Sequence, residues 1–309
     1  MTGKDNRRLS PAPQDPKTSG LYFSLTIIFV LAANLLAALV VNALFGGDTA
    51  EATGSDGYKL FSFSLSGGVI LVFTLLFLKI EGRGIKETVG IKLPDKKYWF
   101  VALGIFVGMT FGLGRINGYF IEFLQNSCGY VYKPASLPTL TPLNFVLTII
   151  CVCILPAVAE EACFRGVMLS GLKGSGRIFA AAMNGLLFAL YHMNPAQTPY
   201  QFAVGFIFAL AAWESGSAVL TAAVHFVNNL FVITVEYFFG GELSLGKVGD
   251  AVAFVVGIIC LAASLCFLLY KKSEKKELAE KWLFAREFIK YAFIGTIVCG
   301  VIWAARLFL

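Results

Sequence analysis

Two adjacent glutamates, an arginine, two histidines and an asparagine are the residues of this sequence whose types and spacing could do chemistry. They stand in three short stretches: EEACFR at 160–165, FALYH at 188–192 and HFVNN at 225–229. A carboxylate beside imidazoles can take a proton from water and return it to a leaving group. An amide N–H nearby can donate to an oxyanion. All three stretches interrupt apolar runs, where an ionisable side chain costs several kcal/mol and is a functional-site hypothesis by default. The chain has only two histidines, His192 and His225, and both fall in such runs.

Helical spacing sorts these groups. Glu161 and Arg165 are four residues apart and share a face, whereas Glu160 and Arg165 diverge by about 140°. Glu161 is therefore the structural partner of Arg165, and Glu160 is the carboxyl left for chemistry. Pro156, four residues before Glu160, removes a backbone donor and is expected to bend the helix and make room for water. Phe188 shares a face with His192, and His225 shares one with Asn229 and, less well, with Asn228.

Each feature taken singly has a plainer reading. A lone buried histidine is more often structural, an asparagine within a span is often interhelical glue, and Glu161 with Arg165 alone is an ion pair. Arg115 and Glu122, seven residues apart, suggest a second structural pair or the lining of an external vestibule. Glu214, near a helix end, is expected to reach the interface. What departs from these readings is the combination of Glu160, His192 and His225 with Asn229 on three successive segments.

Those segments need a frame, and composition gives its kind. The 309 residues are 57% hydrophobic and only 14% charged, with mean hydropathy +0.75, far from the roughly 25% charged of soluble domains. The expected fold is all-α, a polytopic transmembrane bundle of about eight to nine spans. At about 20 apolar residues per span, the runs lie near 21–45, 60–80, 98–124, 143–172, 177–193, 199–214, 217–239, 249–270 and 288–307. Residues 1–20, polar and carrying Pro11, Pro13 and Pro16, read as a disordered cytoplasmic tail. Residues 21–309 read as one transmembrane domain with its chemistry at 143–239.

Charge orients the bundle. Lys4, Arg7, Arg8 and Lys17 precede the first span; Arg83, Lys86, Lys92, Lys96 and Lys97 follow the second; Lys173 and Arg177 follow the fourth; Lys271, Lys272, Lys275, Lys276 and Lys281 follow the eighth. Nine alternating spans put all four clusters on one side, predicting a cytoplasmic N-terminus and an outer C-terminus. The net charge of +6 is thus topological, and no stripe for nucleic acid is visible. Segment 271–288 reads as an interfacial helix or a solvated loop before the last span. Of the seven cysteines six fall in spans, without a disulfide framework or a zinc pattern. Counted from the cytoplasmic ends, Glu160 and His192 lie roughly 20 Å deep and His225 roughly 12 Å.

The three stretches resemble the CPBP family of intramembrane glutamic proteases, which includes type II CAAX prenyl endopeptidases and bacteriocin-processing or abortive-infection-like proteins. Its patterns E-E-x-x-x-R, F-x-x-x-H and H-x-x-x-N stand here in order between residues 160 and 229. The resemblance implies a helical bundle around a cytosol-facing site, and peptide hydrolysis by an activated water without metal or cofactor. Carried over, Glu160 and His192 would activate the water. His225 and Asn229 would donate to the oxyanion, with Glu161, Arg165 and Phe188 in support. The substrate would be a peptide precursor or a protein cut near its C-terminus, prenylated or not, entering from the bilayer or cytosol of a prokaryotic plasma membrane.

Other functions fit the same residues. One carboxylate and two imidazoles can bind zinc, although the H-E-x-x-H spacing is absent. Glu160 and the histidines could relay protons in a transporter, although no repeat symmetry is evident. A non-catalytic scaffold or immunity protein would retain the fold without the chemistry.

Overall fold

The computed structural model describes residues 14–270 and 278–308. Nine long helices follow one another: α1 Pro16–Leu44, α2 Asp56–Ile80, α3 Lys97–Cys128, α4 Pro142–Ser175, α5 Arg177–Tyr191, α6 Thr198–Ser215, α7 Ala218–Phe239, α8 Gly246–Leu269 and α9 Leu278–Phe308. Among the described residues there is no strand, so the all-α bundle stands. The ends are set locally by polar residues at the edges of apolar runs. Asp15, Ser55, Thr141 and Ser217 cap α1, α2, α4 and α7 by accepting from backbone N–H groups of the first turn.

Seven of these helices are long and apolar enough to cross a membrane; α5 and α6 are not among them. At 15 residues, α5 is about 22 Å long, short of the roughly 30 Å hydrocarbon core. It forms with α6 an antiparallel hairpin packed inside the bundle. The expected eight to nine spans thus meet seven helices long and apolar enough to cross plus an inner hairpin, an arrangement that keeps the alternation of ends.

Two boundaries differ from the sequence expectation. The first helix starts at Pro16, not 21, because Gln14 and Ser19 bond into α4: the Gln14 N–H donates to Ser170 Oγ at 3.1 Å and Ser19 Oγ to the Val167 carbonyl at 3.0 Å. The rest of the expected tail, 1–13, lies outside the described residues. The last helix begins at Leu278, so the latter part of the expected interfacial segment is its first turns; residues 271–277 lie outside the described residues.

Contacts at the helix ends separate two poles. At one, the Ala218 N–H donates to the Gly90 carbonyl and Ser217 Oγ to that of Lys92, Tyr98 Oη donates to the Glu214 carbonyl, and Lys17 faces Glu287. This pole gathers the described basic clusters. At the other, Asp56 accepts from Thr139 and Asn144, and Lys59 Nζ donates to the Leu137 carbonyl.

Without a hydrophobic drive between helices in lipid, small residues that let backbones approach hold such a bundle together. Gly108 and Gly112 of α3 meet α8 at Gly257, where a Cβ would lie 2.7 Å from the Gly112 nitrogen. The α5–α6 hairpin closes likewise on Gly185 and Gly205: a Cβ on Gly185 would lie 2.7 Å from the Phe206 nitrogen. Helix α4 runs through the centre, with every residue from 159 to 172 buried.

Candidate active site

The two glutamates occupy a short regular stretch of α4 between irregular ones. Leu155–Glu161 is α-helical, flanked by wide π-helical turns at Ile149–Ile154 and Ala162–Met168. Such turns inside α-helices are frequent at functional sites. Neighbouring helices hold both flanks through amide side chains. Pro156 has no N–H to give the Val152 carbonyl four residues earlier, and Asn229 Nδ2 of α7 donates to that oxygen at 3.1 Å. Beyond the glutamates, Asn184 Nδ2 of α5 donates to the Phe164 carbonyl at 2.7 Å.

Within this frame Glu161 and Arg165 face each other, Oε1 to Nη1 at 3.2 Å, with both side chains out of solvent. The pair lacks hydrogen-bonding alignment, and the guanidinium rests instead among phenyl rings. Its carbon lies 4.4 Å from the Phe188 centroid, 5.2 Å from that of Phe208 and 5.9 Å from that of Phe164. Ring faces attract a cation most where water is excluded, so Arg165 is held by quadrupoles as well as by its carboxylate.

His225 sits between the glutamates. Its Nδ1 is 3.1 Å from Glu161 Oε1, and its Nε2 points to Glu160 Oε2 at 4.0 Å, too long for a direct hydrogen bond. Glu160 is buried, and its Oε2 has no hydrogen-bond partner among the protein groups. The expected contrast between a committed second glutamate and an uncommitted first one is thus visible in the contacts, with His225 added to the commitments of Glu161.

Phe188 gathers both imidazoles, its centroid 4.7 Å from the His192 ring and 6.4 Å from the His225 ring. His192 Nδ1 lies 2.7 Å from the carbonyl of Phe188 one turn earlier. A carbonyl only accepts, so Nδ1 carries the hydrogen and the neutral ring keeps a lone pair on Nε2.

The α7 amides form a chain: Tyr200 Oη donates to Asn228 Oδ1 at 3.2 Å, and Asn228 Nδ2 points to Asn229 Oδ1 at 3.5 Å. Asn229 has one N–H on Val152 and a second in hand. A cavity of about 350 Å³ reaches Asn228 and Asn229, lined also by Tyr132 and Gln197 from the pole opposite the basic clusters. The resemblance implies a cytosol-facing site, at the basic pole; this cavity lies toward the other one.

Sequence reasoning missed Asn184, Tyr200 and the role of Val152, because each acts through a backbone oxygen or a contact between distant segments. Glu214, expected near the interface, stands at the end of α6 and is paired. It is 2.7 Å from Nη1 of Arg177 across the base of the hairpin. Arg115 donates from Nε to Tyr119 Oη at 3.3 Å and forms no described ion pair with Glu122. Both instead line a vestibule of about 630 Å³ together with Glu236, Glu242 and Asp250. Among the described residues no group of three or more His, Cys, Asp and Glu side chains is arranged to hold a metal ion.

Residues 142–231 match the family described as Rce1-like, type II CAAX prenyl endopeptidase. The match bears out the resemblance to the CPBP proteases over those residues, which run from the start of α4 into α7 and include all three motifs. No curated protein and no solved structure matches the chain. Residues 142–231 are thus similar to a peptidase family, and the long apolar helices support an integral, multi-pass membrane protein.

Proposed function

We propose that this membrane protease hydrolyses a peptide bond with a water activated by Glu160, without a metal, and that residues 143–239 form its catalytic core in a single membrane domain. The observation supporting this reading is the state of Glu160. It is buried, its Oε2 is unpartnered and turned to His225, while the adjacent Glu161 is committed to Arg165 and His225.

In this reading Glu160, assisted by the His192 Nε2 lone pair, takes a proton as water adds to the scissile carbonyl. The free N–H of Asn229, and His225 when its Nε2 is protonated, donate to the oxyanion. The C–N bond then breaks and the stored proton passes to the leaving amine. Glu161 fixes the His225 ring by accepting from Nδ1, and Arg165 and Phe188 hold Glu161 and the two rings in place. The substrate is a peptide precursor or a protein cut near its C-terminus.

The test compares protein termini in cells carrying wild-type or Glu160→Gln protein, followed by hydrolysis of a peptide spanning a cleaved site. Termini that vanish in the variant are expected, with a rate loss of about 10²–10⁴. Asn229→Ala is expected to slow the same reaction on the order of a hundredfold, and a chelator to leave it unchanged. Full turnover by Glu160→Gln overturns the mechanism.

A further inference from the structure

Helices α3, α6 and α7 each end on a glycine in the left-handed region, Gly129, Gly216 and Gly240, with φ of 71°, 62° and 66°. Glycine is the usual residue there because a Cβ crowds the following carbonyl oxygen. Helix α5 ends the same way on a different residue. His192 closes it with φ −69°, and Met193 follows at φ 48°, the one non-glycine residue with positive φ among the described residues. A methionine does not settle in that region by itself, so the turn persists only where its surroundings hold it. Backbone of this kind clusters at active sites, and here it directly follows the imidazole placed beside Glu160 in the proposed reaction. Two described hydrogen bonds reach the Met193 backbone. One is local, its N–H donating to the Leu190 carbonyl at 2.9 Å. The other comes from the last helix, where Arg306 Nη1 of α9 donates to the Met193 carbonyl at 3.1 Å.

We propose that Arg306 is a positioning residue for His192: its guanidinium holds Met193 in the left-handed conformation and, through the peptide between residues 192 and 193, sets where the imidazole Nε2 stands. The bond is charge-assisted, which makes it stronger than one between neutral groups. Without it, Met193 relaxes to negative φ and the chain leaves His192 in another direction. The far side of the turn is pinned, since Trp303 Nε1 donates to Thr198 Oγ1 at 2.7 Å and Tyr130 Oη to Asn194 Oδ1 at 3.2 Å. The relaxation is therefore taken up on the His192 side. Proton transfer at His192 thus depends on the docking of α9, an element outside the residues 142–231 matched by the family. This inference rests on the proposed hydrolytic reading, because it assigns Arg306 its role through His192.

The test uses the full chain in detergent and a peptide spanning a cleaved site. Arg306→Met keeps the apolar stem and removes the donor. It is expected to lower kcat about tenfold, the population lost to the relaxed turn, with KM within about twofold of wild type. Arg306→Lys keeps a charged donor and is expected to stay within about threefold. Glycine takes positive φ as readily as negative, so in a Met193→Gly background the same Arg306→Met change is expected to cost less than about threefold. Met193→Asn is a second background of this kind, because asparagine also tolerates the left-handed region. A residue that merely docks α9 would cost the same in every background. Histidine ring nitrogen-15 resonances read the position without turnover, since the chain has only two histidines. The His192 signals, identified by their loss in His192→Gln, are expected to shift in Arg306→Met and to return when Met193→Gly is added, while those of His225 stay. A tenfold loss that persists in both backgrounds, a raised KM at unchanged kcat, or unmoved His192 resonances overturns the inference. Resonances that move as expected while hydrolysis is indifferent to Glu160→Gln leave the positioning role standing and sink the hydrolytic mechanism instead.

Discussion

Glu160 and Glu161 are neighbours in sequence and opposites in surroundings. Glu161 faces a guanidinium wholly out of solvent, and removing one partner of such a pair typically costs about 3–5 kcal/mol because the other charge stays buried and uncompensated. Glu160 has no such dependant. Glu161→Gln is therefore expected to lower unfolding stability in detergent by about 3–5 kcal/mol, and adding Arg165→Met to recover most of it, whereas Glu160→Gln folds like wild type. Equal stability of the two single variants would remove the distinction. This much was legible in the sequence, because a four-residue spacing on a helix puts the pair on one face. The placement of His225 against Glu161 was not, because it depends on how α7 approaches α4 across 64 residues of chain.

At the scale of elements, the α5–α6 hairpin decides where His192 stands. Its two helices touch backbone to backbone at Gly185 and Gly205, its base is tied by Arg177 and Glu214, and its tip is held by α9. There Trp303 Nε1 donates to Thr198 Oγ1 at 2.7 Å and Arg306 Nη1 to the Met193 carbonyl at 3.1 Å. A side chain at position 185 must push α6 away and shift Phe188 and His192 with it. Gly185→Val is expected to destabilise the protein by about 1–3 kcal/mol or more, seen as a lower melting temperature together with reduced hydrolysis. An unchanged melting temperature would show that the close approach is not required. Hydropathy located both helices within two residues of their ends, yet it could not tell a 15-residue inner helix from a full span. Its burial comes from protein neighbours, not lipid, and an apolar run reads the same in either. The wide turns of α4 left no mark in the sequence beyond Pro156.

For the whole molecule, the ends of the nine long helices alternate, whether the α5–α6 hairpin is taken as two spans or as an inner element. The described basic loops therefore meet at one pole and the 129–141 loop lies at the other. By the excess of Lys and Arg, the basic pole is expected to face the cytoplasm. Accordingly, in intact cells Lys133→Cys is expected to react with an impermeant thiol reagent and Arg83→Cys only after lysis. The reverse pattern would invert the topology. Composition and charge carried this level of organisation from the start, since both act by summation and do not depend on any single contact.

The tie between Pro156 and Asn229 has an evolutionary consequence. Proline leaves the Val152 carbonyl without its helical donor, and asparagine, 73 positions later in the sequence, supplies one from another helix. A non-proline residue at 156 would bring a competing N–H, and a residue without an amide at 229 would strand the oxygen. The two positions are expected to be epistatic, each setting the cost of change at the other.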